Sequence, residues 1–203
     1  MFQTPCVIFA GGKSSRMGED KALLPFAGEP TLTQYQYERL KKLFQNVYIS
    51  CKDANKFDFL TENKNAVLIE DIDTEDIYAP TTGFVTIFNH LNVNEIFVLS
   101  VDTPFIGEAE IGKILEHKDQ GFDTIIAKTP HGLHPMCGLY NRSLHVVFQN
   151  MLQTNQHKLI KLLQTSNTLF VEFENETNFL NLNNPTEYQE AILRFHQEHD
   201  ISK

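Results

Sequence analysis

The sequence predicts an α/β fold in which a mostly parallel sheet carries helices on both faces. Short runs of β-branched and aromatic residues alternate with amphipathic segments along the 203 residues, as in successive βαβ units. The first run, CVIFA at 6–10, is apolar throughout, which is typical of a strand that is covered on both faces. No repeat, linker or low-complexity tract divides the chain, so we expect residues 1–203 to form a single domain.

Each further element follows from its own pattern. After the strand at 6–10, a helix begins near Pro30 and Thr31, because apolar residues from Leu32 to Phe44 recur on one helical face. Further strands are predicted at 46–51 (NVYISC), 66–69 (AVLI), 95–101 (EIFVLSV), 123–128 (DTIIAK), 135–140 (PMCGLY) and 169–173 (LFVEF). Further helices are predicted at 84–91, 108–118, 143–151 and 157–163, and a last one begins at Asn184 or Pro185.

Composition and charge argue against several classes of partner. The formal net charge of -9 repels phosphate backbones, and no broad basic face is evident, so we expect no nucleic-acid partner. No apolar run approaches the roughly 20 residues of a membrane span, and the first residues lack the features of a signal peptide. The cysteines Cys6, Cys51 and Cys137 are scattered through predicted strands, which favours reduced thiols and a cytoplasmic location.

The basic cluster of this acidic chain is the loop FAGGKSSRMGEDK at 9–21, which contains Lys13, Arg16 and Lys21. Its spacing excludes a Walker A motif, which needs a glycine five positions before the Gly12-Lys13 pair, where valine stands. Backbone N–H groups of glycines can approach an anion closely, and the cations add complementary charge. The loop therefore indicates a phosphate site, although a surface turn with solvated lysines is the alternative.

Asp102 lies at the end of the most apolar predicted strand. In open α/β sheets, ligands bind at the carboxyl ends of the strands, and a hard carboxylate there suits Mg²⁺. The alternative is an aspartate that only caps the turn of its Asp-Thr-Pro sequence. Its place opposite the glycine loop favours the metal-ligand interpretation.

The loop resembles the nucleotidyltransferase signature A-G-G-x-x-x-R-M-G-x-D-K. Its specified positions are matched by Ala10, Gly11, Gly12, Arg16, Met17, Gly18, Asp20 and Lys21. Further segments resemble those of the molybdenum cofactor guanylyltransferases in order and spacing: IED (69–71), APTTG (79–83), SVDTPF (100–105), LHPMCGLYN (133–141) and NLNNPTEY (181–188). The resemblance covers essentially the whole chain.

This resemblance implies a Rossmann-like nucleotidyltransferase fold and a specific activity. Such an enzyme uses Mg²⁺ and transfers GMP from GTP to the phosphate of molybdopterin or of the molybdenum cofactor, and pyrophosphate is released. Proteins that deliver and accept the cofactor are then expected as partners. Two alternatives remain open at this point: a cytidylyltransferase acting on the same cofactor, and a nucleotide-binding regulator without catalysis.

The resemblance also assigns catalytic roles. Lys21 would bridge the GTP phosphates, and Asp102 would hold Mg²⁺. Arg16 would contact the departing pyrophosphate, or else form an exposed ion pair with Glu19 or Asp20, which contributes little.

The remaining predicted site residues bind the two substrates. The resemblance places the following against GTP: Phe9, Ala10, Gly11, Gly12, Lys21, Ser50, Asp71, Gly83 and Asp102. On the molybdopterin side it places His134, Asn181 and Asn183, which by themselves indicate only a turn and a helix start. The chain departs from the family at Ala79 and Thr82, where a glycine and an alanine are usual, and at Ser50, where an asparagine is common.

Overall fold

The computed structural model describes residues 1–12, 17–64, 66–72 and 79–200. The strands are β1 (Cys6–Phe9), β2 (Val47–Cys51), β3 (Val67–Glu70), β4 (Glu95–Ser100), β5 (Thr124–Thr129), β6 (Gly132–Asn141) and β7 (Thr168–Glu172). The helices are α1 (Leu32–Leu40), α2 (Asp58–Lys64), α3 (Pro80–His90), α4 (Glu108–Leu115), α5 (His145–Gln153), α6 (Leu159–Thr165) and α7 (Pro185–Asp200). No helix in these ranges is long and apolar enough to cross a bilayer.

The strands of the described residues form one sheet in the order β3-β2-β1-β4-β6-β5-β7. Neighbours are parallel except for β6, which runs antiparallel to both β4 and β5. Phe9 is paired with Ser50 on one side and with Ser100 on the other, so β1, β2 and β4 end at the same edge. The predicted mostly parallel sheet is confirmed, and its carboxyl edge is where a ligand is expected.

Helices cover both faces of the sheet, as predicted. Successive residues of a strand point to opposite faces, so Ile8 joins one buried cluster and Phe9 the other. Leu40 of α1 packs in the first cluster, and Phe84 of α3 packs in the second. There the rings of Phe84 and Phe148 stack with centroids 4.4 Å apart. Each such side chain stabilises the fold by about 1.5–3 kcal/mol through burial.

The helix predicted at 84–91 begins earlier, and this corrects the prediction. Ala79 is extended, and Pro80 then occupies the first helical position, where a missing N–H is tolerated. The segment APTTG is consequently the first turn of α3 rather than a loop before it. The final helix begins at Pro185 as predicted, because Asn184 Oδ1 accepts the N–H of Glu187 at 3.0 Å.

Other boundaries also differ from the prediction. The first helix ends at Leu40 instead of continuing to Phe44, since a turn follows it. Helix α2 has no counterpart in the prediction, because its sequence DFLTENK is short and mostly polar. Strand β6 begins at Gly132 and is longer than expected, with a register irregularity opposite Ile126 and Ala127.

Candidate active site

The carboxyl ends of β1 and β4 border a cavity of about 160 Å³. Its walls comprise Phe9, Ala10, Gly11, Gly12, Asp20, Lys21, Ser100, Val101 and Asp102. The backbone N–H of Val101 donates to the carbonyl of Phe9 at 3.0 Å, which fixes the two strand ends beside each other. The structure thus brings together six of the predicted site residues around one space.

Lys21 and Asp102 form an ion pair at this cavity although 81 residues separate them: the Lys21 ammonium donates to Asp102 Oδ2. The two side chains are only 18% and 11% exposed. Lys21 is held by a short 3-10 helix, Lys21–Leu23, at whose start the Asp20 carboxylate accepts from the N–H of Ala22 at 3.2 Å. A cation and a carboxylate with little solvent exposure therefore lie side by side in the wall of the cavity.

The backbone at Gly11 and Gly12 is open next to this pair. A Cβ added at Gly12 would meet nothing within 4 Å, and both Gly11 and Gly12 are exposed. The backbone there can be approached by an anion from solvent. Lys13 and Arg16, which the sequence interpretation also placed on this loop, lie outside the described residues, so the role predicted for Arg16 stays a prediction.

Ser50 and Asp71 lie on the β2 side of the glycine loop. Ser50 Oγ donates to Asp71 Oδ1 at 2.9 Å, and a Cβ on Gly11 would be 3.9 Å from Asp71 Oδ2. Burial raises the pKa of Asp71 to about 6, and the hydrogen bond from Ser50 and the charge of Lys52 offset this only in part. Burial thus disfavours the charged form of the Asp71 carboxylate, and hydrogen bonds from a ligand's N–H or O–H donors would stabilise that form.

The raised pKa of Asp71 has a testable effect on stability. The pKa lies above its ordinary 3.8, so the folded state binds this proton more tightly than the unfolded chain does. Its contribution to stability is then fully present below about pH 4 and is lost as the pH rises through about 6. Asp71→Asn removes this titration and can keep the Ser50 contact.

We expect the melting temperature of the Asp71→Asn variant to rise relative to that of the wild type between pH 4 and 7, and then to level off. Thermal unfolding of the ligand-free proteins across this range measures it. Asp53→Asn, a change at a half-buried carboxylate that caps a short helix, serves as the control. If the melting temperature of the variant relative to the wild type stays constant or falls over this range, the raised pKa of Asp71 is contradicted.

Gly83 is buried in α3 against the end of the sheet. A Cβ at this position would lie 2.6 Å from Phe9 Cε1 and 3.0 Å from Ser50 Oγ, distances that real Cβ atoms do not tolerate without movement. The resemblance places Gly83 against GTP. The structure adds a packing reason for glycine, which is the close approach of α3 to two predicted site residues.

Gly83→Ala should therefore displace the ring of Phe9. We expect a loss of about 1–3 kcal/mol in the free energy of unfolding, the usual range for overpacking. Urea denaturation measures it. Gly112→Ala is the matched control, since the nearest atom to its added Cβ is 3.9 Å away. Equal stability of the two variants would show that Phe9 can move freely.

Thr86 is a residue of this region that sequence reasoning missed. It is fully buried in α3, and its hydroxyl accepts the N–H of Ile72 at 3.0 Å and donates to the carbonyl of Thr82 at 2.9 Å. The contact ties the residue after Asp71 to α3. A threonine at one position of an amphipathic helix carries no sequence signal for such a role.

A second cavity of about 600 Å³ contains the three residues predicted for the molybdopterin side. Its walls comprise Phe105, Thr129, His131, His134, Glu176, Phe179, Leu180, Asn181, Leu182, Asn183, Glu187, Glu190, Ala191 and Arg194. His134 Nε2 lies 2.9 Å from Thr129 Oγ1, its ring centroid lies 4.8 Å from that of Phe179, and burial lowers its pKa. A neutral imidazole beside an aromatic ring suits a flat, hydrogen-bonding ligand.

A backbone hydrogen bond at Asp102 joins the walls of the two cavities. The backbone N–H of Leu182, a wall residue of the larger cavity, donates to the carbonyl of Asp102 at 2.9 Å. Phe105, three residues after Asp102, lines the larger cavity, and the guanidinium of Arg194 lies 3.9 Å from its ring centroid. The backbone of Asp102, a wall residue of the small cavity, is thus one hydrogen bond from the wall of the large one.

The fit of a divalent metal ion rests on Asp102. Within the described ranges, no group of three or more His, Cys, Asp or Glu side chains could hold a metal ion. Mg²⁺ needs no such group where one or two carboxylates act together with substrate phosphates and water. Asp102, a buried carboxylate near the open backbone of Gly11 and Gly12, fits that mode of binding.

The sheet and the cavity at its carboxyl edge are those of α/β enzymes that bind nucleotides. The family model of the MobA-like NTP transferase domain matches residues 6–169. The chain belongs to this family and is a nucleotidyltransferase.

Individual relatives support the family. A molybdenum cofactor guanylyltransferase of Campylobacter jejuni subsp. jejuni is 43% identical over 184 residues, which cover 91% of this chain and 93% of that protein. One of Helicobacter pylori strain J99 is 33% identical over 195 residues, which cover 93% and 88%. The crystal structure of molybdopterin-guanine dinucleotide biosynthesis protein A from Archaeoglobus fulgidus superposes with a TM-score of 0.78 at 20% identity, covering 96% and 100%. That likeness confirms the Rossmann-like fold.

Proposed function

We propose that this enzyme transfers GMP from GTP to the terminal phosphate of molybdopterin or of the molybdenum cofactor and releases pyrophosphate. One observation supports it most: the backbone bond from Leu182 to Asp102 joins the wall of the small cavity, which contains Lys21 and Asp102, to the wall of the larger cavity. A transferase that joins two phosphates needs two adjoining sites of this kind. The names of the Campylobacter and Helicobacter relatives agree with this proposal.

GTP would lie along the carboxyl ends of β1 and β2. The exposed backbone of Gly11 and Gly12, with the ammonium of Lys21, suits the triphosphate. Ser50 and Asp71 suit the ribose hydroxyls or the N–H edge of guanine, because a carboxylate accepts hydrogen bonds from both. Gly83 holds α3 close to this end of the sheet.

Asp102 is the residue that would hold Mg²⁺. The chemistry that Mg²⁺ supplies in such a site is neutralisation of charge on the phosphate oxygens. Lys21 adds a positive charge that stabilises the negative charge developing at the α-phosphorus. The attacking phosphate oxygen is already an anion, so positioning and charge account for the catalysis and no strong base is required.

The larger cavity would hold the pterin. Glu187 and Glu190 place carboxylates in its wall, and these suit the N–H donors of a pterin ring better than they suit a phosphate. His134, Asn181 and Asn183 add further polar groups. The phosphate of the substrate would then point out of the acidic cavity, toward Lys21 and Asp102.

We also propose cytoplasmic location and partner proteins that deliver and accept the cofactor. The three cysteines are free and buried in the described structure, which agrees with a reducing compartment. A labile cofactor needs transfer between proteins without release.

The transfer itself can be assayed with α-labelled nucleotides. Purified enzyme, Mg²⁺ and molybdopterin are incubated with labelled GTP or CTP, and the labelled dinucleotide and free pyrophosphate are measured. Equal amounts of guanine dinucleotide and pyrophosphate, formed from GTP alone, are expected. A cytosine product would assign the enzyme to the cytidylyl branch, and nucleotide binding without either product would indicate a regulator.

A further inference from the structure

Helix α1 reaches the loop that carries Asp102 through one completely buried side chain, Gln36. The Nε2 atom of Gln36 lies 3.3 Å from the carbonyl oxygen of Ser100, 3.1 Å from that of Val101 and 3.1 Å from that of Thr103. These carbonyls flank Asp102 on both sides. A side chain more than 60 residues away in sequence thus holds the backbone of the proposed metal ligand.

The orientation of the Gln36 amide is fixed by Arg39. Arg39 Nε donates to Gln36 Oε1 at 2.6 Å, and a guanidinium has donors only. The amide oxygen must therefore face Arg39, and the NH₂ group must face the carbonyls. Arg39 also donates to the carbonyl of Ile106, so the pair holds the loop at both its start and its end.

The loop depends on this pair because β4 ends at Ser100. Beyond that residue the antiparallel neighbour no longer pairs with the chain, since the register of β4 with β6 stops at Leu99. Buried carbonyl groups need donors, and within this turn Thr103 supplies hydrogen bonds only to the carbonyl of Ser100. Gln36 supplies a donor to the carbonyls of Val101 and Thr103, which lie on either side of Asp102.

We propose that Gln36 is a positioning residue that sets the Asp102 carboxylate for metal-dependent nucleotide transfer. The proposal rests on the proposed function, because it takes Asp102 as the ligand of Mg²⁺. Gln36 lies behind the loop and acts only through the backbone. Its loss should therefore weaken the response to Mg²⁺, while the contacts of the glycine loop with nucleotide stay intact.

The test compares Gln36→Met with Gln34→Met. Both glutamines are buried on α1, but Gln34 Nε2 donates to Glu29 Oε2 at 2.6 Å, away from the Asp102 loop. Calorimetry measures GTP binding without metal and as a function of Mg²⁺ concentration, and single-turnover kinetics measures transfer. Misplacement by about 1 Å can lower a rate by about 10²-fold.

For Gln36→Met we expect the half-saturating Mg²⁺ concentration to rise by about tenfold and the transfer rate to fall by about 10²-fold, with metal-free GTP affinity within about twofold of the wild type. Gln34→Met should leave all three unchanged. Normal Mg²⁺ response and rate in Gln36→Met would overturn the proposal. A parallel loss of metal-free GTP affinity would also overturn it, because it would indicate general disruption of the site.

Gln36→Glu keeps the test decisive if the methionine variant does not fold. It preserves the volume and the contact with Arg39, but it turns an oxygen toward the carbonyls in place of the NH₂ group. The same loss of Mg²⁺ response is expected, and a normal response overturns the proposal. If wild-type GTP binding shows no Mg²⁺ dependence, the proposed function fails and this inference with it; if Asp102→Asn abolishes the dependence but both Gln36 variants keep it, only the inference fails.

Discussion

Asp102→Asn is expected to lower the rate of nucleotide transfer by on the order of 10³-fold. Asparagine keeps the shape of the side chain and leaves the backbone bond from Leu182 to residue 102 intact, but it removes the charge that we propose binds Mg²⁺. It also removes the anionic partner of Lys21. Single-turnover transfer at saturating GTP measures the effect, and the metal-free affinity for GTP should not fall.

Asp53→Asn is the matched control for this variant. Asp53 accepts from the backbone N–H of Asn55 at 3.1 Å in an exposed hydrogen bond and lines neither cavity, so its change should leave the rate within about twofold of the wild type. Mg²⁺-dependent transfer by Asp102→Asn within tenfold of the wild-type rate would contradict the role of Asp102. The aspartate would then be a turn residue, which was the alternative given by the sequence.

Lys21→Met should lower the rate of transfer by about 10²–10³-fold, the usual effect of losing one preorganised charged donor. This loss is expected because the short helix that begins at Lys21 holds the ammonium group at the cavity and against Asp102. Lys21→Arg should recover part of the rate, since it restores the charge with a different donor geometry. The rate at saturating GTP is the measurement, because a general effect on binding would alter only KM.

Lys56→Met gives the control for loss of a lysine nearby. Lys56 is a more exposed lysine that pairs with Asp20 at 3.2 Å, next in sequence to Lys21. Its contribution should be small, as for most exposed ion pairs. A Lys21→Met enzyme as fast as Lys56→Met would contradict the catalytic role and support a solvated loop lysine instead.

The parts of the fold that sequence patterns predicted best are the buried parallel strands. Continuous apolar runs identified β1 and β4, and the glycines after β1 and the aspartate after β4 then marked the carboxyl edge. These signals are local, because each residue type reflects its own backbone or burial. The start of α3 was missed because its apolar stripe begins at Phe84, whereas Pro80 determines the first turn.

Sequence patterns could not predict the contacts that organise the site, because these contacts join segments that are far apart in the chain. Gln36 lies 64 residues or more from the carbonyls that it holds, and Leu182 donates to a residue 80 positions earlier in the chain. Neither residue type indicates such a partner. The pKa of Asp71 likewise depends on the burial of its side chain against the end of the sheet. The sequence does not indicate this burial, because Asp71 stands in a run of acidic residues.

The central claim, a Mg²⁺-dependent guanine nucleotide site between the glycine loop and Asp102, is tested most directly by thermal unfolding with nucleotides. Wild type and Asp102→Asn are each heated with GTP, CTP, ATP or UTP, with and without Mg²⁺, since a ligand that binds the folded state raises the melting temperature. We predict a shift for GTP that Mg²⁺ enhances in the wild type and not in the variant. An equal Mg²⁺ enhancement in both proteins, or a larger shift with another nucleotide, would contradict it.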